Sequence, residues 1–178
     1  MKSFISEDDI EQSLLQRLKD LKWNRIECDP AVEQQDEVAR TGRANSAECV
    51  LPEILHSSLK HINPGVAPEI IDSVVKDLRK DFSGTDIVDT NYRLYNQIRN
   101  GIKVNTRVNG KDDFVIVKLI DFERPLENDF TAVNQMWIKG HFRYRRPDVL
   151  LFVSLSLPCY CAEEVNHQRK LPAHSLLE

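Results

Sequence analysis

At Ile102 the apolar period of the chain changes, and that change limits the fold more than any other feature. Ile102, Val104, Thr106 and Val108 alternate with polar residues, which is the period of a half-buried strand. Upstream, apolar residues recur every three or four positions. Ser6 and Asp9 precede Ile10, Leu14, Leu15, Leu18 and Leu21, an N-cap with an acidic third residue opening an amphipathic helix. Pro52 suits the first turn of a second helix, whose apolar face is Ile54, Leu55, Leu59 and Ile62, and Asn63-Pro64-Gly65 ends it. Pro68 opens a third helix with Ile71, Val74, Val75 and Leu78 facing inward. A short fourth helix is expected from about Thr90 to Asn100, closed by Gly101. Residues 24–47 are polar and weakly patterned, and read as a long surface loop with room for a short strand near Ile26.

Beyond Ile102 the chain reads as strands. Asn109-Gly110 is a hairpin signal. The return strand, "DFVIVKLIDF", is almost continuously apolar from Phe114 to Val117, which predicts a central position in the sheet. "FTAVNQMWI", after a loop at Pro125–Asp129, is another strand, and "PDVLLFV" is the next. Helices followed by a meandering sheet predict an α+β fold, a mixed β-sheet with flanking helices.

Composition narrows the function classes. The 178 residues suit one domain with a real core, and neither a repeat nor a linker divides them. A net charge of −4 excludes a protein that coats nucleic acid with its whole surface. It leaves room for a local patch, and "KGHFRYRRPD" supplies one: Lys139, His141, Arg143, Arg145 and Arg146 interleave with Phe142 and Tyr144. The same stretch also reads as a solvated strand or loop. No apolar run approaches the roughly 20 residues of a membrane helix. The acidic N-terminus "MKSFISEDDIEQ" lacks a secretory apolar stretch, so a cytoplasmic protein without membrane contact is expected. Cys28, Cys49, Cys159 and Cys161 do not form a secreted disulfide pattern, and Cys159-x-Cys161 with His167 and His174 fits no familiar zinc spacing.

Asp148, after Pro147 and before an apolar strand, is either a turn residue or a metal ligand. Asp121, at the end of the long apolar strand, reads as structural. Asn134 and Gln135 read as strand amides that satisfy buried neighbours or touch DNA.

The segments "TNYRLYNQIRNGIKV", "VKLIDFERPLENDFTAVNQMWIKG" and "RRPDVLLFV", with the opening "SEDDIEQSLLQRLKDLKW", resemble the N-terminal domain of the restriction (R) subunit of type I restriction–modification enzymes. The resemblance covers roughly residues 5–153. It implies a restriction-endonuclease-like core of the PD-(D/E)xK type. There an aspartate begins one strand, a Glu-x-Lys lies on the next, and a glutamate from the first helix often joins them. Carried over, it makes Asp148 the catalytic residue and a metal ligand and Glu11 a second metal ligand. Glu11 otherwise reads as a solvated acid in the first turn of a helix. Lys139, Arg143, Arg145 and Arg146 would neutralise phosphates. The implied cofactor is Mg²⁺ and the implied substrate double-stranded DNA. The chemistry suits these residue types, because carboxylates hold a hard cation that activates water and screens phosphate charge. The family's full subunit continues into an ATP-driven motor and works with methyltransferase and specificity subunits. This chain has no Gly-Lys-Ser/Thr loop, so ATP is expected to act only through that motor.

The tail departs from the pattern. The family's second apolar strand should carry its glutamate near Ala162 and its lysine near Glu164. The chain instead reads "SLSLPCYCAEEVNHQRKLPAHSLLE", and neither Glu163 nor Glu164 has a lysine two residues on. A carboxylate in the lysine's place has the opposite sign and repels phosphate. The expectation is an endonuclease-like domain over residues 1–153, with the C-terminal part of its core incomplete. Residues 154–178 would be an atypical tail, a non-native continuation from a shifted reading frame, and the fragment would be inactive. A competing reading moves Glu163 or Glu164 into the site with Lys170. A non-enzymatic alternative is a nuclease-like module that binds DNA or docks subunits.

Overall fold

A computed structural model describes residues 6–28, 34–80, 86–108, 111–139, 144–154 and 158–162. The first helix, α1 (Glu7–Asp20), opens on the capping box read from the sequence: Asp9 N donates to Ser6 Oγ at 3.2 Å and Ser6 N to Asp9 Oδ2 at 3.1 Å. Ser6 Oγ also donates to Asp9 Oδ2 at 2.6 Å, and this bond, with the one from Ser6 N, holds the Asp9 carboxyl below its usual pKa. A short strand, β1 (Asn24–Glu27), follows, then helix α2 (Gln34–Arg40). Residues 24–47 are therefore not simply a loop. Their polar sequence conceals a helix whose Glu37 is buried and ion-paired to Arg43, and periodicity cannot signal such a pair.

Prolines start the next two helices at the predicted places, α3 (Pro52–Ile62) and α4 (Pro68–Leu78). Helix α5 (Ile87–Asn100) begins three residues before Thr90, because Asp86 accepts hydrogen bonds from the backbone N–H groups of Val88 and Asp89. Gly101 ends it at φ 76°, with its N–H on Gln97 O.

The hairpin strands β2 (Ile102–Val108) and β3 (Lys111–Val117) pair antiparallel as a separate two-stranded sheet, with Ile102 opposite Val117. The Asn109-Gly110 turn lies outside the described residues. β3 is not central: Phe114 and Ile116 are about half exposed, because among the described residues the opposite face of the hairpin is the one that packs on a core. After a 3₁₀ turn at Pro125–Glu127 come β4 (Phe130–Asn134), β5 (Ile138–Lys139), β6 (Tyr144–Arg145), β7 (Val149–Val153) and β8 (Pro158–Ala162).

The main sheet has the order β1-β4-β7-β8. β1 runs parallel to β4, and the other pairs are antiparallel. The mixed α+β fold is as expected. Alternate residues serve opposite faces. Ala132 and Val149 pack against Leu15 and Leu18 of α1, while Val133, Leu150 and Phe152 pack with Leu51 and Ile54 at the start of α3. α3 also shares a core with α4, through Leu55, Leu59, Ile62, Ile71, Val74 and Leu78. No helix among the described residues is long and apolar enough to cross a membrane.

A buried polar knot anchors the start of β4. Asn128 Oδ1 accepts from Asp121 N and Ser154 Oγ, each at 2.9 Å, and its Nδ2 donates to the carbonyls of Asp121 and Pro125. Asp121 is fully buried and structural, as read. Burial opposes its ionisation, but hydrogen bonds from the Arg124 backbone and guanidinium, with the Lys118 charge and Glu123 N–H, hold its pKa below the ordinary value.

Candidate functional site: two carboxylates on one amide

The antiparallel register of β4 and β7 sets Asn134 opposite Val149. The residues just beyond that pair, Gln135 and Asp148, therefore meet at the same end of the sheet. Gln135 N continues the ladder by donating to Asp148 O at 2.9 Å. Gln135 is not in a strand: β4 stops at Asn134, and Gln135 has φ 58°, which breaks the apparent nine-residue strand in two.

Glu11 reaches the same place from α1. It lies four residues before Leu15 and seven before Leu18, on the face that packs against Ala132 and Val149. It is consequently half-buried rather than on the polar face. Gln135 Nε2 donates to Glu11 Oε2 at 3.3 Å and to Asp148 Oδ1 at 3.2 Å. The two residues picked from the sequence as metal ligands thus converge on one amide. Two carboxylates form a hard oxygen set of the kind Mg²⁺ takes with waters completing its shell. Among the described residues no group of three His, Cys, Asp or Glu side chains is placed to hold a metal.

Of the cationic candidates, Lys139 and Arg145 are exposed, and Arg143 lies outside the described residues. Arg146 is half-buried. Its Nε donates to Gln135 O at 2.9 Å and its guanidinium carbon sits 5.4 Å from the centre of the Trp137 ring.

The support behind this segment was invisible in the sequence. Glu37 and Arg43 form a buried ion pair at 2.6 Å. Glu37 accepts from Trp137 N through both oxygens at 3.2 Å, and Arg43 Nη1 donates to Trp137 O at 2.9 Å. The pair thereby grips both backbone groups of Trp137, two residues past Gln135. Burial pushes the Glu37 carboxyl above its usual pKa, with the Trp137 N–H and the Arg43, Arg146 and Arg40 charges countering part of that rise. Cys28, in the same region, is raised to about 11, mainly by burial and then by Glu37. A separate cleft of 610 Å³ between α3, α4 and residues 44–50 shares no residue with the carboxylates. Its Asp72 is hydrogen-bonded to His56 and its Glu48 to Arg79.

A mixed sheet between helices, with two acids meeting where paired strands end, is an arrangement compatible with a nuclease-like core. Comparison with known proteins gives the lineage. The chain belongs to the family of type I restriction enzyme R protein N termini, whose family model matches residues 4–164. It is 34% identical over 168 residues to the type I restriction enzyme HindI endonuclease subunit of Haemophilus influenzae, covering 93% of this chain and 15% of that protein. It is 28% identical over 151 residues to a putative type I restriction enzyme MjaIXP endonuclease subunit of Methanocaldococcus jannaschii, covering 82% of this chain and 14% of the relative. The chain thus spans about a seventh of the length of the relatives it matches.

Proposed function

We propose that this chain is the nuclease portion of a type I restriction R subunit, built to hydrolyse double-stranded DNA with Mg²⁺, and that it is catalytically silent as it stands. The observation that carries the reading is the meeting of Glu11 and Asp148 on Gln135. Asp148 and Glu11 would hold the ion, with Asp148 the indispensable ligand. A bound divalent ion supplies an activated water and screens charge on the phosphate. Lys139, Arg143, Arg145 and Arg146 would hold the DNA backbone. In the assembled enzyme, methyltransferase and specificity subunits would be the partners, and ATP would act through the motor of a full-length subunit.

Silence follows from the missing Glu-x-Lys. β7 and β8 pair with Val149 opposite Ala162, the position near which the resemblance would put the family's glutamate. The test is a repair. The unaltered chain should leave supercoiled plasmid intact in Mg²⁺ or Mn²⁺. Ala162→Glu combined with Glu164→Lys should produce cleavage that Asp148→Ala then abolishes. A folded repaired chain that never cuts would sink the reading and favour the second one, a nuclease-like module that binds DNA or docks subunits without catalysis. That alternative has the absent Glu-x-Lys in its support. Binding to DNA that weakens steeply with salt separates DNA contact from pure docking. We further propose that the atypical tail read over 154–178 is a non-native continuation beyond residue 164, where the family match ends; a chromosomal sequence encoding the same tail would overturn this.

A further inference from the structure

We infer that Gln135 is the positioning residue of the cation site, an amide that holds Glu11 and Asp148 together from behind and leaves one oxygen of each for the ion. The inference rests on the reading of those two acids as ligands. Three features of Gln135 carry it.

The first is chemical. Both neighbours are carboxylates, which only accept hydrogen bonds, so the amide must present its nitrogen to them. That nitrogen has two hydrogens and two partners, Glu11 Oε2 at 3.3 Å and Asp148 Oδ1 at 3.2 Å. One side chain therefore offsets the mutual repulsion of two acids carried on separate elements. The second is stereochemical. Gln135 adopts φ 58°, a conformation that side-chain-bearing residues rarely enter without a surrounding structure that imposes it. Here the imposing contacts are Gln135 N on Asp148 O and Arg146 Nε on Gln135 O. The third is what remains open. The amide engages one oxygen of each acid, Glu11 Oε2 and Asp148 Oδ1, and does not occupy Glu11 Oε1 or Asp148 Oδ2. An outer partner that engages one oxygen and frees the other is the usual way a protein orients a ligating carboxylate, and losing such a partner typically weakens metal binding by about 10–100-fold.

The test measures binding of Mn²⁺ alone by electron paramagnetic resonance, without DNA and without turnover. Gln135→Met keeps the length and loses the donors. Gln135→Asn keeps the amide and tolerates positive φ, but is too short to span both acids, so it guards against a variant that simply fails to fold. Thermal unfolding of the metal-free proteins is recorded alongside. Both variants should raise the Mn²⁺ dissociation constant by about 10-fold or more, and Gln135→Asn should do so with its metal-free melting temperature nearly unchanged. A merely structural role would move the melting temperature and spare the affinity. Mn²⁺ binding abolished by Asp148→Asn yet unaltered or tightened in both Gln135 variants overturns this inference and leaves the cation site standing. No Mn²⁺ binding by the unaltered chain overturns both.

Discussion

Replacing Arg43 by Met tests the support on which the site rests. The substitution keeps the length of the side chain and removes its charge and donors. Arg43 has no exposed side-chain surface and Glu37 only 5%. Its loss strips partners from Glu37, from the carbonyls of Glu48 and Trp137, and from Thr41 Oγ1. Breaking a buried pair from one side costs about 3–5 kcal/mol, a large share of the roughly 5–15 kcal/mol that holds a domain folded. With a urea slope of about 2 kcal/mol per molar, the midpoint should fall by roughly 2 M.

The loss should also depend on pH in a known direction. Burial already lifts the Glu37 pKa above its ordinary value, and removing Arg43 lifts it further. A group whose pKa is higher in the folded state costs stability as pH rises from the unfolded value through the folded one. The gap between Arg43→Met and the unaltered protein should therefore widen from pH 5 to pH 8. In a Glu37→Gln background, where the amide oxygen can still accept from Trp137 N, the same change should cost less, with a coupling of about 1–3 kcal/mol. The assay is urea unfolding followed by tryptophan fluorescence at each pH. A loss under about 1 kcal/mol that is flat with pH would refute the claim that this pair clamps the segment bearing Gln135.

Gly101→Ala should destabilise by about 2–4 kcal/mol in the same assay, from positive φ and overpacking together. A Cβ there would lie 2.7 Å from Ile116 Cγ2 and 2.8 Å from Val117 O, at φ 76°. Asp121→Asn should flatten the acid limb of the stability profile. The depressed carboxyl contributes stability above its unfolded pKa, and that contribution is lost as pH falls below about 4 towards the folded value; an unchanged slope in the difference curve would count against it. Cys28, raised to about 11 and 4% exposed, should resist iodoacetamide at pH 8 in the folded protein and react in urea, read peptide by peptide by mass spectrometry.

Local signals placed most elements. The Ser6–Asp9 box, the prolines at 52 and 68 and the closing Gly101 act within one helical turn, and each works as written. The failures share one cause, burial decided by distant partners. The apolar run Phe114–Val117 predicted a central strand, yet Phe114 and Ile116 are about half exposed because, among the described residues, no strand or helix packs on that side of the hairpin. Residues 34–43 looked like solvated loop because Glu37 and Arg43 are inside only by virtue of each other and of Trp137. Asp148 and Glu11 were singled out through family resemblance rather than periodicity. The role of Gln135 was not, since a strand pattern ran straight through it.

The sequence by itself determined the class of fold, the helix boundaries that caps and prolines impose, the identity of two candidate carboxylates and the absence of a Glu-x-Lys beyond them. Tertiary structure alone decided that Glu11, Gln135 and Asp148 share one place. Gln135 reaches across 124 residues to Glu11 and 13 to Asp148. The reason is geometric: a strand's register against its neighbour, and the face a helix turns to a sheet, are settled by which apolar surfaces bury one another, a property of segments far apart in the chain.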